Sequence, residues 1–435
     1  MIINITEYGA IGDGKTLNTR AIQAAVDACA ASGGGMVIIP PGTFVSGTIF
    51  LKSNLTFHLE AGAVLLGSPN LKDYCDENAY AQNYSCPNEG WCGAHLLVAV
   101  EQENIAVTGP GIIDGNCDTW YGKAGKGAWD GGMSWARGMR CTDVSKSELR
   151  PGQLVVFIQC NTIRLENLSL RNSPCWTVFL HGCSKAIVRG LMIDNPVDGQ
   201  NTDGIDLDCC SQVVVSDCII RTGDDAITLR ASGKRLIDHP EICEDITVSN
   251  CILDSSVAGF RIGVGSGIIR NIAISNIVLR YSGAGFLIQS AYGNSVKGVT
   301  ITDIFINGIR GQHVGYPLHL LSGRNTGEAQ IKNIYFNNYH AECCGCVAIE
   351  GNSETLPDNI VFQDCSFKIT MPDRPCLPEK IPQVFWDIRN SGKICLNNCT
   401  LEWSLPETEK RKNIISQNVK DLIIKDCTMP QLLQN

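Results

Sequence analysis

This chain has little charge and no long apolar run, and each shortage removes a class of function. Charged residues make up 18% of its 435 residues, the net charge is −9, and no basic stretch stands out. A nucleic-acid surface, which needs clustered Lys and Arg, is therefore not expected. No apolar stretch reaches the roughly 18 residues of a membrane span, so no membrane partner is expected either. The opening Met1-Ile2-Ile3-Asn4-Ile5-Thr6-Glu7 carries neither a charged leader region nor a sustained apolar segment, which points to the cytoplasm. The 22 cysteines fall below the density of a disulfide scaffold. In a reducing compartment they are expected as free, buried thiols.

What the chain does have is glycine, 44 residues of it, an apolar fraction of 44%, and a repeat. From residue 165 one phrase recurs: apolar, polar, a small or polar residue that is often Asn or Asp, then apolar. It reads Leu165-Glu166-Asn167-Leu168, Val188-Arg189-Gly190-Leu191, Val215-Ser216-Asp217-Cys218, Val248-Ser249-Asn250-Cys251 and Ile274-Ser275-Asn276-Ile277. It continues as Ile301-Thr302-Asp303-Ile304, Phe336-Asn337-Asn338-Tyr339, Phe362-Gln363-Asp364-Cys365, Leu396-Asn397-Asn398-Cys399 and Ile424-Lys425-Asp426-Cys427. Steps between the fourth residues are 23, 27, 33, 26, 27, 35, 26, 34 and 28. Short alternating strands at such a period describe a solenoid of stacked β coils. Helical repeats would show a 3.6-residue period, which is absent. Cysteines at one repeat position read as small apolar members of an internal stack rather than as metal ligands.

The N-terminal part fits the same architecture. Asn18 is placed to cap a helix whose Ile22, Ala25, Val26 and Cys29 form one apolar stripe, ended by Ser32-Gly33-Gly34-Gly35. Such a helix closes the open end of a solenoid. Strands are expected at Met36–Ile39, Thr48–Leu51 and Leu55–Leu59. No linker is visible, so residues 1–435 read as one domain. Two stretches break the rhythm, 70–95 with Tyr74, Tyr80, Tyr84 and Trp91, and 116–152 with Trp120, Tyr121, Trp129 and Trp135. Their aromatics either wall a sugar-binding cleft or pack the insertions onto the coils.

Alternation assigns the outward columns. With Val178, Ile205, Ile227, Phe260 and Phe286 facing inward, Trp176, Asp203, Asp225, Ala258 and Ala284 share one outward column. The next column holds Phe179, Asp206, Thr228, Arg261 and Leu287, and another holds His181, Asp208, Arg230, Gly263 and Gln289. The 22-residue step puts Asp225 roughly 4.8 Å above Asp203, with Asp224 at the adjoining turn. Crowded carboxylates are costly unless a proton is to be held and a water stripped, so the patch reads as acid/base machinery. Asp206 and Asp208 are expected to pair with Arg230 and Arg261. Calcium is the rival use of such a cluster, but it would need further oxygen ligands from loops; no metal and no cofactor is expected.

Asn201-Thr202-Asp203, followed one coil later by Gly223-Asp224-Asp225, resembles family 28 of the glycoside hydrolases, the polygalacturonase family. Tyr8-Gly9-Ala10-Ile11-Gly12-Asp13-Gly14 and Thr108-Gly109-Pro110-Gly111-Ile112-Ile113-Asp114-Gly115 are similar to that family too. The resemblance spans residue 3 to about 290. It implies an all-β fold, a single-stranded right-handed parallel β-helix of the pectin lyase type. It also implies inverting hydrolysis, with Asp224 as general acid, Asp203 and Asp225 activating water, and Asn201 orienting its neighbours.

The departures bear on substrate. The family's Gly-His-Gly is matched here by Ser256-Val257-Ala258, and its Arg-Ile-Lys by Leu287-Ile288-Gln289. Both cations that grip a galacturonate carboxylate are lost. Arg230 and Arg261 are candidates to rebuild an anion site, and His181 or His95 to replace the missing histidine. Together with Gln289, Trp120 and Trp129 these are the candidate substrate contacts. The expected activity is exo-acting hydrolysis of short, plant-type oligosaccharides. The competing readings are another carbohydrate enzyme on this scaffold (lyase, epimerase or glycosyl transferase) and a non-catalytic glycan-binding β-helix.

Overall fold

The third residue of the repeating phrase turns the corner of each coil. The computed structural model describes residues 1–430 except 77, 122–148, 291–297, 323–328, 371–381 and 406–410. In it Asn167, Asp217, Asn250, Asn276, Asp303, Asn338, Asp364, Asn398 and Asp426 all have φ between 48° and 61°, and Gly190 has φ 64°. The left-handed region penalises a Cβ but tolerates Asn, Asp and Gly, so the phrase restricts this position to them. Flanking residues such as Leu165, Leu168, Val215 and Cys218 are buried. Corner side chains bond from coil to coil: Asn104 to Asn54 at 3.0 Å, Asn276 to Asn250 at 2.7 Å, Asn398 to Asp364 at 2.6 Å.

One copy of the phrase belongs to a different corner. Ile301-Thr302-Asp303-Ile304 lies opposite Ile269-Arg270-Asn271-Ile272, and Ile274–Ile277 continues instead as Ile306-Asn307-Gly308-Ile309. Ile277 pairs with Ile309 and Ile309 with Tyr339, so steps of 32 and 30 replace 27 and 35. Asn271 and Asn276 are both left-handed, and the sequence pattern matches either corner equally well.

Two compact units are present. The first contains described residues 1–121, 149–224 and 233–239; the second contains 225–232 and those from 240 onward. Both are built from parallel strands. In the first, Val155–Ile158 pairs with Leu97–Val100 on one side and Val178–His181 on the other. Val178 then faces Ile205, Phe179 faces Asp206 and His181 faces Asp208, the register expected from alternation. In the second unit Ile227, Phe260 and Phe286 follow one another inward, and Arg261 faces Leu287. The Phe260 and Phe286 rings stack 5.1 Å apart at 6°. Burying each such ring contributes about 1.5–3 kcal/mol. The register slips between Leu229 and Ala231, which takes Arg230 out of the column that Gly263 shares with Gln289.

The helix α1, Thr19–Ala31, buries Ile22, Ala25, Val26 and Cys29. It covers the strand Gly35–Ile39 at the start of the first unit. Asn18 occupies its N-cap without a side-chain bond to the helix. Its amide instead clamps the preceding loop, accepting from Ile11 N at 2.7 Å and donating to Thr16 O at 2.6 Å. The expected early strands are present as Gly35–Ile39, Ile49–Phe50 and Leu55–Leu59, with a further one at Gly42–Ser46. All twenty described cysteines are free thiols, sixteen of them buried.

Candidate active site

Threonine, asparagine and glycine hold the turns that carry the acidic motifs. In the first unit the Thr177 hydroxyl and amide both donate to Asp203 O at 2.8 Å. Asn195 donates to the Thr177 hydroxyl at 2.7 Å and to Thr202 O at 3.2 Å. The Thr202 hydroxyl donates to Gly199 O and accepts from Gly223 N at 3.0 Å, tying the Asn-Thr-Asp turn to the Gly-Asp-Asp turn. Gly223 is required by close approach: a Cβ there would lie 2.3 Å from Gly199 O. Thr222 completes the turn by donating to Asp224 O at 2.6 Å.

These turns gather the carboxylates. Asp203 is 5% exposed and Asp224 half-buried, and one oxygen of each lies within 4.8 Å of the other. The backbone N–H of Asn201, itself left-handed at φ 52°, donates to Asp224 Oδ2 at 3.2 Å. The Asn201 side chain turns away and accepts from Arg150 Nη2 at 2.8 Å.

The next residue, Asp225, opens the second unit. It is 3% exposed, and its carboxylate is ion-paired with Arg261 Nε. Arg261 Nη1 also donates to Gln289 Oε1 at 3.2 Å. Arg261 thus reaches both Asp225 and Gln289. Gln289 serves as its second acceptor. Arg230 is half-buried at the register slip. Val257 and Leu287 are both buried.

Neither candidate histidine reaches the surface. His181 is fully buried, stacked on Phe179, with Nε2 2.8 Å from Lys234 O and Nδ1 3.7 Å from Asp208. His95 is 3% exposed with Nδ1 3.0 Å from Gln153 O, and burial pushes its pKa down to about 4. Both rings are thus packed within the protein, His181 against Lys234 O and His95 against Gln153 O. Trp120 is half-buried and edge-on to Tyr74 at 6.4 Å. Trp129 lies outside the described residues.

The first insertion packs down on the coils. Trp91 joins Val156, Ile158, Cys175, Trp176 and Phe179 in one cluster, with Tyr80, Tyr84 and Leu236 against it. Trp91 and Trp176 lie 5.9 Å apart, so the outward position one rung before Asp203 is filled by protein. Residues 233–239 lock this cover: Lys234 sits 4.4 Å over the Tyr84 ring, and Gln159 Nε2 donates to Ile237 O at 2.8 Å. Sequence reading missed this second segment and Arg150. The signal for the segment was the 33-residue step from Cys218 to Cys251; a lone buried arginine left none. The chain also contains one Cys-x-x-Cys spacing, Cys343 to Cys346, yet these are free thiols and, among the described residues, they join no group of three ligand atoms.

The parallel coils form a right-handed β-helix. The chain belongs to the glycosyl hydrolases family 28, whose profile matches residues 81–367; a second profile, rhamnogalacturonase A/epimerase, pectate lyase-like, matches residues 2–108. It is 33% identical to the exo-poly-alpha-D-galacturonosidase of Dickeya chrysanthemi, over 53% of this chain and 42% of that one. It is 29% identical to a probable polygalacturonase of Vitis vinifera, over 52% and 44%. The chain thus spans less than half the length of these relatives. Its fold matches the family 28 exopolygalacturonase of Yersinia enterocolitica with a TM-score of 0.73 at 20% identity, covering 97% of this chain and 78% of that one. The exopolygalacturonase of Thermotoga maritima matches with a TM-score of 0.66 at 21% identity, covering 98% and 92%.

Proposed function

We propose that this protein is a glycosidase that removes units from the end of short, pectin-derived or related oligosaccharides, with inversion at the anomeric carbon. Family membership, together with a half-buried Asp224 held against Asn201 and Asp203, carries the reading. Asp224 gives its proton to the glycosidic oxygen as the bond to the anomeric carbon breaks. Asp203 and Asp225 take a proton from the water whose oxygen attacks the opposite face. One oxygen of Asp203 and one of Asp224 lie within 4.8 Å of each other, closer than the carboxyl separation typical of an inverting pair, about 6.5–9.5 Å. Inversion therefore rests on the family resemblance, and anomer analysis decides it.

End-wise action is supported by the Trp91–Trp176 cover, which fills the rung before Asp203. A substrate other than plain polygalacturonate is supported by Val257, Leu287 and Gln289, which offer no charge to a uronate. Arg230 and Trp120 are the proposed direct contacts with the sugar. Arg261 and Gln289 act through Asp225. The free thiols favour a reducing compartment such as the cytoplasm.

The test is product and anomer analysis on a panel of neutral and acidic oligosaccharides, for wild type and Asp224→Asn. Release of single terminal units with inverted configuration, reduced at least about 10²-fold in the variant, is the expected outcome. An unsaturated product absorbing in the ultraviolet would establish a lyase. Glycan binding without turnover, unchanged in Asp224→Asn, would establish a binding protein.

A further inference from the structure

We propose that Arg150 is a positioning residue for the acid group, holding the Asn201 turn so that its amide meets Asp224. The proposal rests on the hydrolase reading above, and its test separates the two.

Arg150 is 1% exposed. Its backbone pairs with the first insertion, donating to Gly90 O at 3.1 Å and accepting from Cys92 N at 3.0 Å. From there the guanidinium crosses to the acidic motif. Nη1 donates to Pro174 O and Gln200 O, both at 2.8 Å, and to the Tyr121 hydroxyl at 3.0 Å. Nη2 donates to Glu89 O at 3.0 Å and Asn201 Oδ1 at 2.8 Å. The Tyr121 ring lies 5.4 Å from the guanidinium carbon, and its hydroxyl donates to Gln200 O at 3.0 Å.

Each of these acceptors is neutral. A buried guanidinium bonded to neutral oxygens, with its Nε left without a hydrogen-bond partner, is a costly way to stabilise a fold, and an apolar residue would fill the space at less expense. What arginine adds is a rigid planar fork able to hold several oxygens in fixed relation. Two of them, Gln200 O and Asn201 Oδ1, flank the peptide N–H that donates to Asp224 Oδ2. Asn201 is left-handed, a conformation that its surroundings must maintain. The insertion that covers the coils is thereby joined, through one side chain, to the group that delivers the proton.

The charged and titratable groups around this point are Asp203 and Asp225 beside Asp224, and Tyr121, Cys175 and Glu89 around Arg150. The Asn201 amide favours the ionised form of Asp224, and the guanidinium holds that amide through Gln200 O and Asn201 Oδ1. Losing Arg150 therefore makes Asp224 hold its proton to higher pH.

The experiment compares wild type with Arg150→Met, Arg150→Lys and Tyr121→Phe. In Arg150→Met, kcat falls roughly 10²-fold with KM changed little, and the alkaline limb of the pH–rate profile moves to higher pH. Arg150→Lys keeps the charge but not the fork, and recovers part of the limb position and little of kcat. Tyr121→Phe moves both in the same direction by less. A limb unmoved in the folded variants overturns the proposal; if Arg150→Met does not fold, Arg150→Lys and Tyr121→Phe decide it by the same criterion. The Asp224 carboxyl is also titrated by carbon NMR, assigned by its absence in Asp224→Asn. An upward midpoint in Arg150→Met supports the proposal even if wild type turns over no glycan, and an unchanged one overturns it.

Discussion

Gly223 shows how closely the acidic turns are fitted. A methyl group there would meet Gly199 O at 2.3 Å, Pro196 O at 2.6 Å and the Thr202 hydroxyl at 2.7 Å, two of them backbone atoms that cannot swing aside. Gly223→Ala must push the two turns apart, and overpacking of this kind costs about 1–3 kcal/mol. The expected result is a lower melting temperature by scanning calorimetry, with a larger loss of kcat, since Asp224 is the next residue. A normal melting temperature and full activity would mean that the turns have slack. Thr202 belongs to the same fit, its hydroxyl serving the backbone and not the substrate. Asn201 divides its labour, with its amide N–H on Asp224 and its side chain on Arg150.

At the level of elements, the capping helix and the coils were legible because their signals are periodic. The stripe Ile22, Ala25, Val26, Cys29 is the stripe the helix buries, and the inward stack Val178 to Ile205 holds its register. Ile22→Ala is expected to cost about 2–5 kcal/mol, read as an earlier chemical-denaturation midpoint. A much smaller cost would show that the helix does not seal the first coils. Aperiodic features were not legible. The Asn18 side chain satisfies a loop rather than the helix behind it. The register slip at Leu229 moved Arg230 by one position. Burial of His181 depends on residues 233–239, contributed from another coil. The acidic motifs themselves could be read from the sequence, but Arg150 holds five oxygens that no local pattern joins.

For the molecule as a whole, buried histidines make stability depend on pH. Burial depresses His95 to about 4 and His313 to about 3, from about 6.5 in an unfolded chain. The unfolded chain binds these protons first, so the contribution is complete above about pH 6.5 and is lost as pH falls toward the folded values. The slope is about 1.4 kcal/mol per pH unit for each histidine in that window. Melting temperature is expected to fall from pH 6.5 to 5, more gently in His95→Gln; an identical slope would show that His95 is solvated. The corner ladder has a consequence of another kind. Because Asn and Asp corners such as Asn250 and Asn276 hold the register, residues on the outward face of a coil do not have to. An exposed position such as Ile252 or Val278 can be exchanged while the coil above and below stays in step. Inheritance can therefore revise the solvent-facing side chains one rung at a time while the ladder keeps the coils aligned.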